Sequence, residues 1–333
     1  DAVRKNLRYI ASLPDQPQYV AILSGDQLYR MDFRKMIADH ERAKADVSIA
    51  AIPVTRNDAR SLGVMRVDDT GRVVGFLEKP KTDEEIDLVR MDPAWIDARG
   101  VDSKGRDCLA SMGIYLFNRD TLFDVLEKTQ YADFGKEVFP AAIRSRRVQV
   151  HLFDGYWEDI GTIRSFYEAN LSLAGDEPPF SFSSHEAPVY TRARFLPPTR
   201  VEGATIRNTL LADGCRIGKG SVIENSVIGL RCVVGENVTI RNSIVMGADY
   251  FETSSAAVGD ANYVALGIGD GSVVDGVIVD KNCRVGAGST LVNPDGAADY
   301  ESDDGSIVVR DGIPVVMKDT TLPKGWKLTA PTS

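Results

Sequence analysis

The chain has 333 residues, of which 43% are hydrophobic and 26% are charged. A length prior of about 100–200 residues per domain indicates two domains, and this composition excludes a disordered or fibrous protein. The formal net charge of −9 excludes a broad basic surface for nucleic acid, and no apolar run approaches the roughly 20 residues that cross a bilayer.

Residues 1–175 alternate between helical and strand patterns. The opening DAVRKNLRYIAS predicts a helix, and the apolar run YVAIL predicts a buried strand at Tyr19–Leu23. Asp32 is the predicted N-cap of a helix whose apolar residues stand at i, i+3, i+4 and i+7. Apolar strands separated by such helices indicate a parallel sheet covered on both faces. Further strands are predicted at Val47–Val54 and at residues 72–77, 111–117 and 148–153.

Two segments lack a regular period. Residues 83–107 are charged and irregular, and they predict a surface excursion. The Pro- and Ser-rich residues 176–200 predict a linker between a first domain at 1–175 and a second domain at 201–333.

The second domain shows a beat of five or six residues, interrupted at residues 247–266. One inward aliphatic residue per hexad, often followed by Gly, indicates a parallel β-helix. Ordinary hairpins, the alternative, would show a period of two with Asn-Gly turns. The recurring positions are Ile206, Leu211, Ile217, Ile223, Ile228, Val234, Ile240, Met246, Val273, Val279, Val285 and Leu291.

Asp26 stands directly after the YVAIL strand, in the sequence SGD. Ligands of open parallel sheets bind outside the carboxyl ends of strands, so a carboxylate there could hold a divalent cation. An Asx-turn is the alternative, and the spacing leaves both open.

Two further stretches carry polar groups suited to a phosphorylated sugar. In GFLEKPK, Glu78 could accept hydrogen bonds from hydroxyls and Lys79 could neutralise a phosphate, although solvated charges at a strand end are the alternative. In DGYWEDIGT, Asp159 could share a Mg²⁺ ion with Asp26.

Histidine and cysteine patterns argue against other chemistry. The three histidines show no HExxH spacing, and the four cysteines form no CxxC pair. We therefore expect neither a zinc site nor a disulfide framework, and we expect the protein to work in a reducing compartment.

The chain resembles the ADP-glucose pyrophosphorylases (glucose-1-phosphate adenylyltransferases) over nearly its whole length. The matching motifs, in order, are LSGDQLYRMDF, FLEKP, ASMGIYLF, DFGKEVFP, GYWEDIGTI, YEANL, FLPP and VMGADYFET. The resemblance implies a Rossmann-like mixed, mostly parallel α/β sheet (the nucleotidyltransferase fold) followed by a left-handed parallel β-helix. It also implies transfer of an adenylyl group from ATP to glucose 1-phosphate, which releases pyrophosphate and gives ADP-glucose for glycogen or starch synthesis.

The resemblance also assigns roles to individual residues. Asp26 and Asp159 match the aspartates implicated in Mg²⁺ binding and catalysis, and Lys79 matches the contact to the sugar phosphate. The positions that match the glucose 1-phosphate site are Gly63, Glu78, Lys79 and Ser111.

Regulation is implied at the C-terminal stretch VVRDGIPVVMKDTTLPKG. There Arg310 and Lys318 match basic positions that contact phosphorylated metabolite effectors. For Arg310 alone, an exposed strand charge is the favoured interpretation, and Lys318 is the stronger candidate.

The family's Gly-rich nucleotide loop has no counterpart here, and we expect it upstream of Asp1, so that the chain as given is incomplete for catalysis. Two alternatives stay open: a non-catalytic regulatory subunit, and a sibling sugar-nucleotide pyrophosphorylase using another nucleotide. The family implies a homotetramer, or a heterotetramer in a plastid. A bacterial cytoplasm is the favoured location, with a plastid left open.

Overall fold

The computed structural model describes residues 2–129, 131, 134–185, 187–252, 262–293 and 299–328. Asp1, Asp133 and Thr253, which belong to the predicted opening helix or to the quoted motifs, lie outside these ranges. The contacts divide the chain into two compact units, Asp1–Trp157 and Glu158–Ser333. None of the helices in the described ranges has the length and apolar character needed to cross a membrane.

The first unit alternates strands and helices, and four of the predicted elements are confirmed. These are the opening helix, the strand at Tyr19–Leu23, the helix capped by Asp32 and the strand at Val47–Val54. The strands predicted at residues 72–77, 111–117 and 148–153 also occur, with their ends shifted by up to three residues. The strands are β1 (Tyr19–Leu23), β2 (Gln27–Tyr29), β3 (Val47–Val54), β4 (Gly63–Val67), β5 (Val73–Glu78), β6 (Cys108–Asn118), β7 (Val148–Leu152) and β8 (Trp157–Asp159), which straddles the unit boundary. The helices are α1 (Ala2–Ala11), α2 (Phe33–Arg42), α3 (Arg56–Ala59), α4 (Asp83–Asp87), α5 (Pro93–Asp97), α6 (Arg119–Lys128), a π-helix (Phe134–Val138) and α7 (Phe139–Ser145).

The main sheet is mixed, as predicted, but the expectation that its apolar strands pair in parallel is wrong for most neighbours, because β6 runs against the strands beside it. Its order is β5-β4-β6-β3-β7, and β1 also pairs with β6. Strands β1, β3, β4 and β7 run in one direction, but β6 lies among them and runs in the other. Neighbouring strands in the described sheet are therefore antiparallel except for β3 and β7.

Strand β6 positions the two strands, β4 and β1, that lead to the predicted site. β3 runs along one edge of β6 over both of its halves, so β4 and β1 share the other edge. β4 pairs with the first half, at Ala110, and β1 pairs with the second half, beginning at Ile114. β1 is less buried than the sequence predicts, and Leu23 is 46% exposed, because within the described residues β1 pairs with β6 alone.

The prediction of a surface excursion at residues 83–107 is wrong. This segment contains α4, which begins with a capping box at Thr82, and α5, which begins after the N-cap Asp92. Ile86 and Ile96 are fully buried against the sheet. Single apolar side chains, spaced among many charges, anchor both helices. A prediction based on the average polarity of the segment overlooks them.

The second unit is a stack of short, mostly parallel strands, and the helix α8 (Ile163–Ala174) packs on it. Phe166 and Leu171 of α8 contact an aliphatic cluster that includes Ile244 and Ile278. The strands are β9 (Arg200–Val201), β10 (Thr205–Leu211), β11 (Arg216–Ile217), β12 (Val222–Ile228), β13 (Val233–Val234), β14 (Thr239–Arg241), β15 (Ile244–Val245), β16 (Gly267–Ile268), β17 (Val273–Asp275), β18 (Ile278–Val279), β19 (Arg284–Val285), β20 (Thr290–Val292), β21 (Tyr300–Glu301), β22 (Ile307–Arg310), β23 (Ile313–Val316) and β24 (Thr321–Leu322).

The coil of this β-helix is 17 residues long. Parallel neighbours such as Thr205 and Val222 are 17 positions apart, and the inward residues of one coil are spaced by six, six and five. One side of each coil is one residue shorter than the other two. A strict spacing of six residues therefore misses the true inward position by one residue. The predictions that Met246 and Val273 point inward are accordingly wrong, and Val245 and Val274 are buried instead.

Candidate functional site

The loop after β1 is seated on Gly113, at the point where β6 passes from β4 to β1. The backbone N–H of Ser24 donates to the carbonyl of Gly113 at 3.1 Å. Gly113 has a φ of +66°, and a Cβ there would lie 2.8 Å from Nε2 of Gln27. A residue without a side chain is therefore required for the loop to approach β6 this closely.

Asp26 lies exposed at the tip of this loop. Within the described ranges, its carboxylate accepts one hydrogen bond, from the hydroxyl of Ser24 to Oδ1. No Asx-turn at Asp26 occurs within these ranges, and Oδ2 accepts no hydrogen bond there. An exposed carboxylate held by a neighbouring hydroxyl is suited to a cation or a ligand donor.

The other side of the loop is fixed by an aromatic residue. Nε1 of Trp157 donates to Oε1 of Gln27 at 3.3 Å, and the N–H of Arg30 donates to the carbonyl of Tyr156 at 3.3 Å. These bonds tie the first residue of β2, and the residue that follows β2, to Trp157 and Tyr156, so the position of Asp26 does not depend on β1 alone.

Gly63, Glu78 and Lys79 come together at the open end of the β4–β5 hairpin. Gly63 pairs with Glu78, and a Cβ on Gly63 would lie 2.7 Å from Oε2 of Glu78. The Glu78 side chain thus occupies the space above Gly63. Lys79 follows with a φ of +53°, and its N–H donates to the carbonyl of Leu62 at 3.0 Å.

Ser111 is buried on β6 and differs from the other candidates. Its Oγ accepts from the N–H of Gly113 at 3.3 Å and lies 3.4 Å from the hydroxyl of Tyr115. Ser111 therefore braces the irregular stretch of β6 that supports the Asp26 loop. A direct contact between Ser111 and a sugar stays a prediction.

Asp159 ends β8 and belongs to the second unit. Its Oδ1 accepts from the N–H of Gly161 at 2.9 Å, so the Asx-turn occurs at Asp159 rather than at Asp26. Three residues later, Thr162 caps α8 with a capping box. The predicted sharing of a metal ion by Asp26 and Asp159 stays a prediction.

Lys318 is part of a charged turn that the sequence did not predict in full. Its Nζ lies 3.3 Å from Oδ2 of Asp249, and Nζ of Lys281 lies 2.9 Å from Oδ1 of the same carboxylate. The hydrogen bond from Lys281 lowers the pKa of Asp249 to about 2, and the hydrogen bond to Asp249 raises the pKa of Lys318. Asp249 thus holds two lysines side by side.

Lys281 is the residue that sequence reasoning missed. It stands two positions after Val279, and Lys318 stands two positions after Val316, the partner of Val279 in the next coil. The repeated pattern, IVDKN in one coil and VVMKD in the next, was visible in the sequence. A cavity of about 630 Å³ adjoins Lys281 and is also lined by Arg192, Arg194, Arg231 and Asp249.

Arg310 lies apart from this turn. It ends β22 opposite Ile313, whereas Lys318 follows the far end of β23. Its Nη1 donates to the carbonyls of Tyr300 and Val309, and its Nη2 lies 3.5 Å from Glu301. The structure therefore does not bring Arg310 and Lys318 together.

Comparison with known families gives two matches that together cover most of the chain. Residues 1–175 match the family model described as nucleotidyl transferase, and residues 194–326 match the model described as the GLGC left-handed parallel beta-helix domain. No group of three or more His, Cys, Asp and Glu side chains that could hold a metal ion occurs in the described part of the chain.

Proposed function

Because this chain belongs to the nucleotidyl transferase family and carries a GLGC left-handed β-helix domain, the architecture of ADP-glucose pyrophosphorylases, we propose that it transfers an adenylyl group from ATP to glucose 1-phosphate. A phosphate oxygen of glucose 1-phosphate attacks the α-phosphorus of ATP, and the bond from that phosphorus to the bridging oxygen of pyrophosphate breaks. ADP-glucose and pyrophosphate leave. The pairing of these two domains in one chain is the observation that carries the proposal.

The chain's own residues contribute mainly by positioning and by charge. Lys79 supplies an exposed ammonium group for the phosphate of glucose 1-phosphate, and Glu78 beside it offers a carboxylate to sugar hydroxyls. The loop seated on Gly113 holds Asp26 at the mouth of the sheet. No side-chain nucleophile is needed, since the attacking oxygen belongs to the substrate.

The donor set at this loop fits a hard divalent cation. Asp26 is exposed and has one carboxylate oxygen that accepts no hydrogen bond from the described residues, and carboxylate oxygens are the ligands that Mg²⁺ prefers. We propose that Asp26 and Asp159 hold Mg²⁺. When bound, the ion would neutralise charge that develops on the phosphate oxygens.

Regulation by a phosphorylated metabolite is the second part of the proposal. The two lysines on Asp249, with the neighbouring arginines of the 630 Å³ cavity, form a basic site for an anion. An anionic effector would compete with Asp249 for Lys281 and Lys318. We also propose assembly into a tetramer, because the resemblance implies it.

The test is an assay of the full-length protein with Mg²⁺, glucose 1-phosphate and one nucleotide at a time. We expect pyrophosphate release and a sugar nucleotide with ATP, and much slower reaction with UTP, GTP or dTTP. Preference for another nucleotide would identify a sibling enzyme, and binding of glucose 1-phosphate without turnover would identify a regulatory subunit. Either result would overturn the proposed reaction.

A further inference from the structure

The first unit contains a cavity of about 500 Å³ that none of the predicted site residues lines. It lies between the last turn of α2, the β4–β5 turn and β7. We name it the arginine cavity, and its polar lining consists of Asp39, Arg42, Thr70, Arg99, Arg147 and Gln149.

The arginine cavity carries excess positive charge. Its single carboxylate, Asp39, is already engaged, because Arg42 contacts Oδ1 at 2.6 Å and Nδ1 of His151 lies 2.7 Å from Oδ2. The guanidinium group of Arg147 has no partner among the described residues, and its side chain is exposed. This balance favours an anion, and guanidinium groups suit phosphate oxygens in particular.

Arg99 is fixed in place, and no carboxylate in the described part of the chain forms an ion pair with it. Its guanidinium group stacks over the ring of Trp95 at 3.6 Å and donates to the carbonyls of Trp95 and Asp69. Carbonyl groups accept hydrogen bonds without cancelling a full charge. A rigid cation therefore faces the same cavity as Arg42 and Arg147.

Gln149 adds an unpaired acceptor. It is 9% exposed, and its Nε2 donates to the carbonyl of Thr70 at 2.8 Å, whereas its buried Oε1 has no hydrogen-bond partner among the residues that the structure describes. Since a carbonyl can only accept, this bond fixes the orientation of the amide. An unpaired buried acceptor is unfavourable, and a hydroxyl donor from a ligand would relieve it.

The turn between β4 and β5 holds the Gln149 side chain in this orientation. Gly71 has a φ of +83°, and a Cβ there would lie 2.6 Å from Nε2 of Gln149. The N–H of Val150 donates to the carbonyl of Gly71 at 2.9 Å, and Asp68 accepts from the N–H groups of Thr70 and Arg72. The wall of the cavity is therefore braced by backbone bonds.

We propose that the arginine cavity binds a phosphate group carried on a small hydroxylated molecule. Arg42, Arg99 and Arg147 provide the charge for the phosphate, and Gln149 accepts from a hydroxyl. The cavity lies wholly within the first unit and shares no residue with the predicted sugar or effector sites. The inference thus goes beyond the proposed reaction and does not depend on it.

The test is calorimetric titration of the full-length protein with inorganic phosphate, glucose 6-phosphate and glucose. We expect glucose 6-phosphate to bind more tightly than inorganic phosphate, and glucose not to bind. Arg147→Gln should weaken phosphate binding about ten- to a hundred-fold, as the loss of a charge-assisted hydrogen bond implies. Arg144→Gln, which removes the same charge from an exposed position outside the cavity, should leave binding unchanged.

Two more variants separate this site from the others. Gln149→Met should lower affinity for glucose 6-phosphate while sparing inorganic phosphate, with circular dichroism to confirm folding. Lys79→Ala, aimed at the proposed sugar site, should leave the Arg147-dependent component intact. Absence of binding at millimolar phosphate, or equal affinities of wild type and Arg147→Gln, would overturn the proposal, whatever the outcome for turnover.

Discussion

Lys79 combines an unusual backbone conformation with a predicted role in binding. Its φ of +53° is uncommon for a residue with a side chain, and such conformations cost on the order of 1–3 kcal/mol. The hydrogen bond from the N–H of Lys79 itself to the carbonyl of Leu62 holds the strained position. The sequence identified Lys79 from its charge at a strand end, but the strain was visible only in the structure.

Lys79→Ala should raise KM for glucose 1-phosphate by about ten- to a hundred-fold, because a charge-assisted hydrogen bond to phosphate is lost. KM for ATP should change far less. Steady-state kinetics with each substrate varied in turn measures both effects. Lys81→Ala, which removes an exposed charge two residues away, is the matched control. Equal changes for the two substrates would contradict the role of Lys79.

Asp26→Asn should reduce kcat strongly and leave the melting temperature nearly unchanged, because the carboxylate is exposed and accepts one hydrogen bond, from Ser24, within the described ranges. Asp159→Asn should behave alike, since an asparagine side chain can still accept from Gly161. Turnover and thermal unfolding of both variants measure this. Near-normal kcat in both would rule out a role in metal binding.

At the scale of elements, the turns of the β-helix place charges by repetition. Val279 and Val316 are stacked partners, so the lysines that follow them emerge side by side onto Asp249. Because the pKa of Asp249 is held at about 2, below its ordinary value of 3.8, its carboxylate stays ionised until the pH falls towards that value. The turn should therefore keep its charges throughout the neutral range.

Lys318→Ala and Lys281→Ala should each shift activation by 3-phosphoglycerate or a fructose phosphate to higher concentration, with basal activity nearly intact. Arg310→Ala should have a smaller effect, because Arg310 is engaged within its own hairpin. Rates against activator concentration at pH 6 and pH 8 should give the same ranking of variants. Superimposable curves for wild type and both lysine variants would refute this effector site.

Long elements with a strong period were predictable from the sequence, and features that depend on tertiary contacts were not. The α2 helix followed from Asp32 and its apolar face, and β3 from an unbroken apolar run. The burial of Ile86 depends on a sheet that the local sequence does not contain. In the site, Asp26 was predictable because it directly follows a strand. Lys281 was recognised only once the structure showed which coils stack on each other.

At the scale of the whole molecule, all four cysteines are free and buried, in both units. Burial raises the pKa of Cys108 and of Cys283 to about 12, above the ordinary value of 9.0. These thiols stay neutral in the folded state at pH values where the unfolded chain begins to lose their protons. Above pH 9 the unfolded state thus binds fewer protons, and stability falls as pH rises.

Reaction with a thiol reagent such as Ellman's reagent should accordingly be slow for the native protein and reach four thiols per chain in denaturant. Urea unfolding at pH 7, 9 and 10.5 should show a loss of stability between the last two values. A Cys283→Ala variant should lose less stability over that interval. Rapid labelling of the native protein at pH 8 would contradict the burial of these side chains.

Strand β6 serves two neighbours on one edge, β4 through its first half and β1 through its second, with Gly113 between them. The loop of Asp26 and the hairpin of Glu78 and Lys79 therefore hang from a single stretch of backbone. We therefore expect the relative position of the two loops to depend on the irregular stretch of β6 around Gly113, whose φ is +66°. Evolution of a new ligand preference in this protein should consequently proceed through coupled substitutions on both sides of that stretch, and their effects should be non-additive.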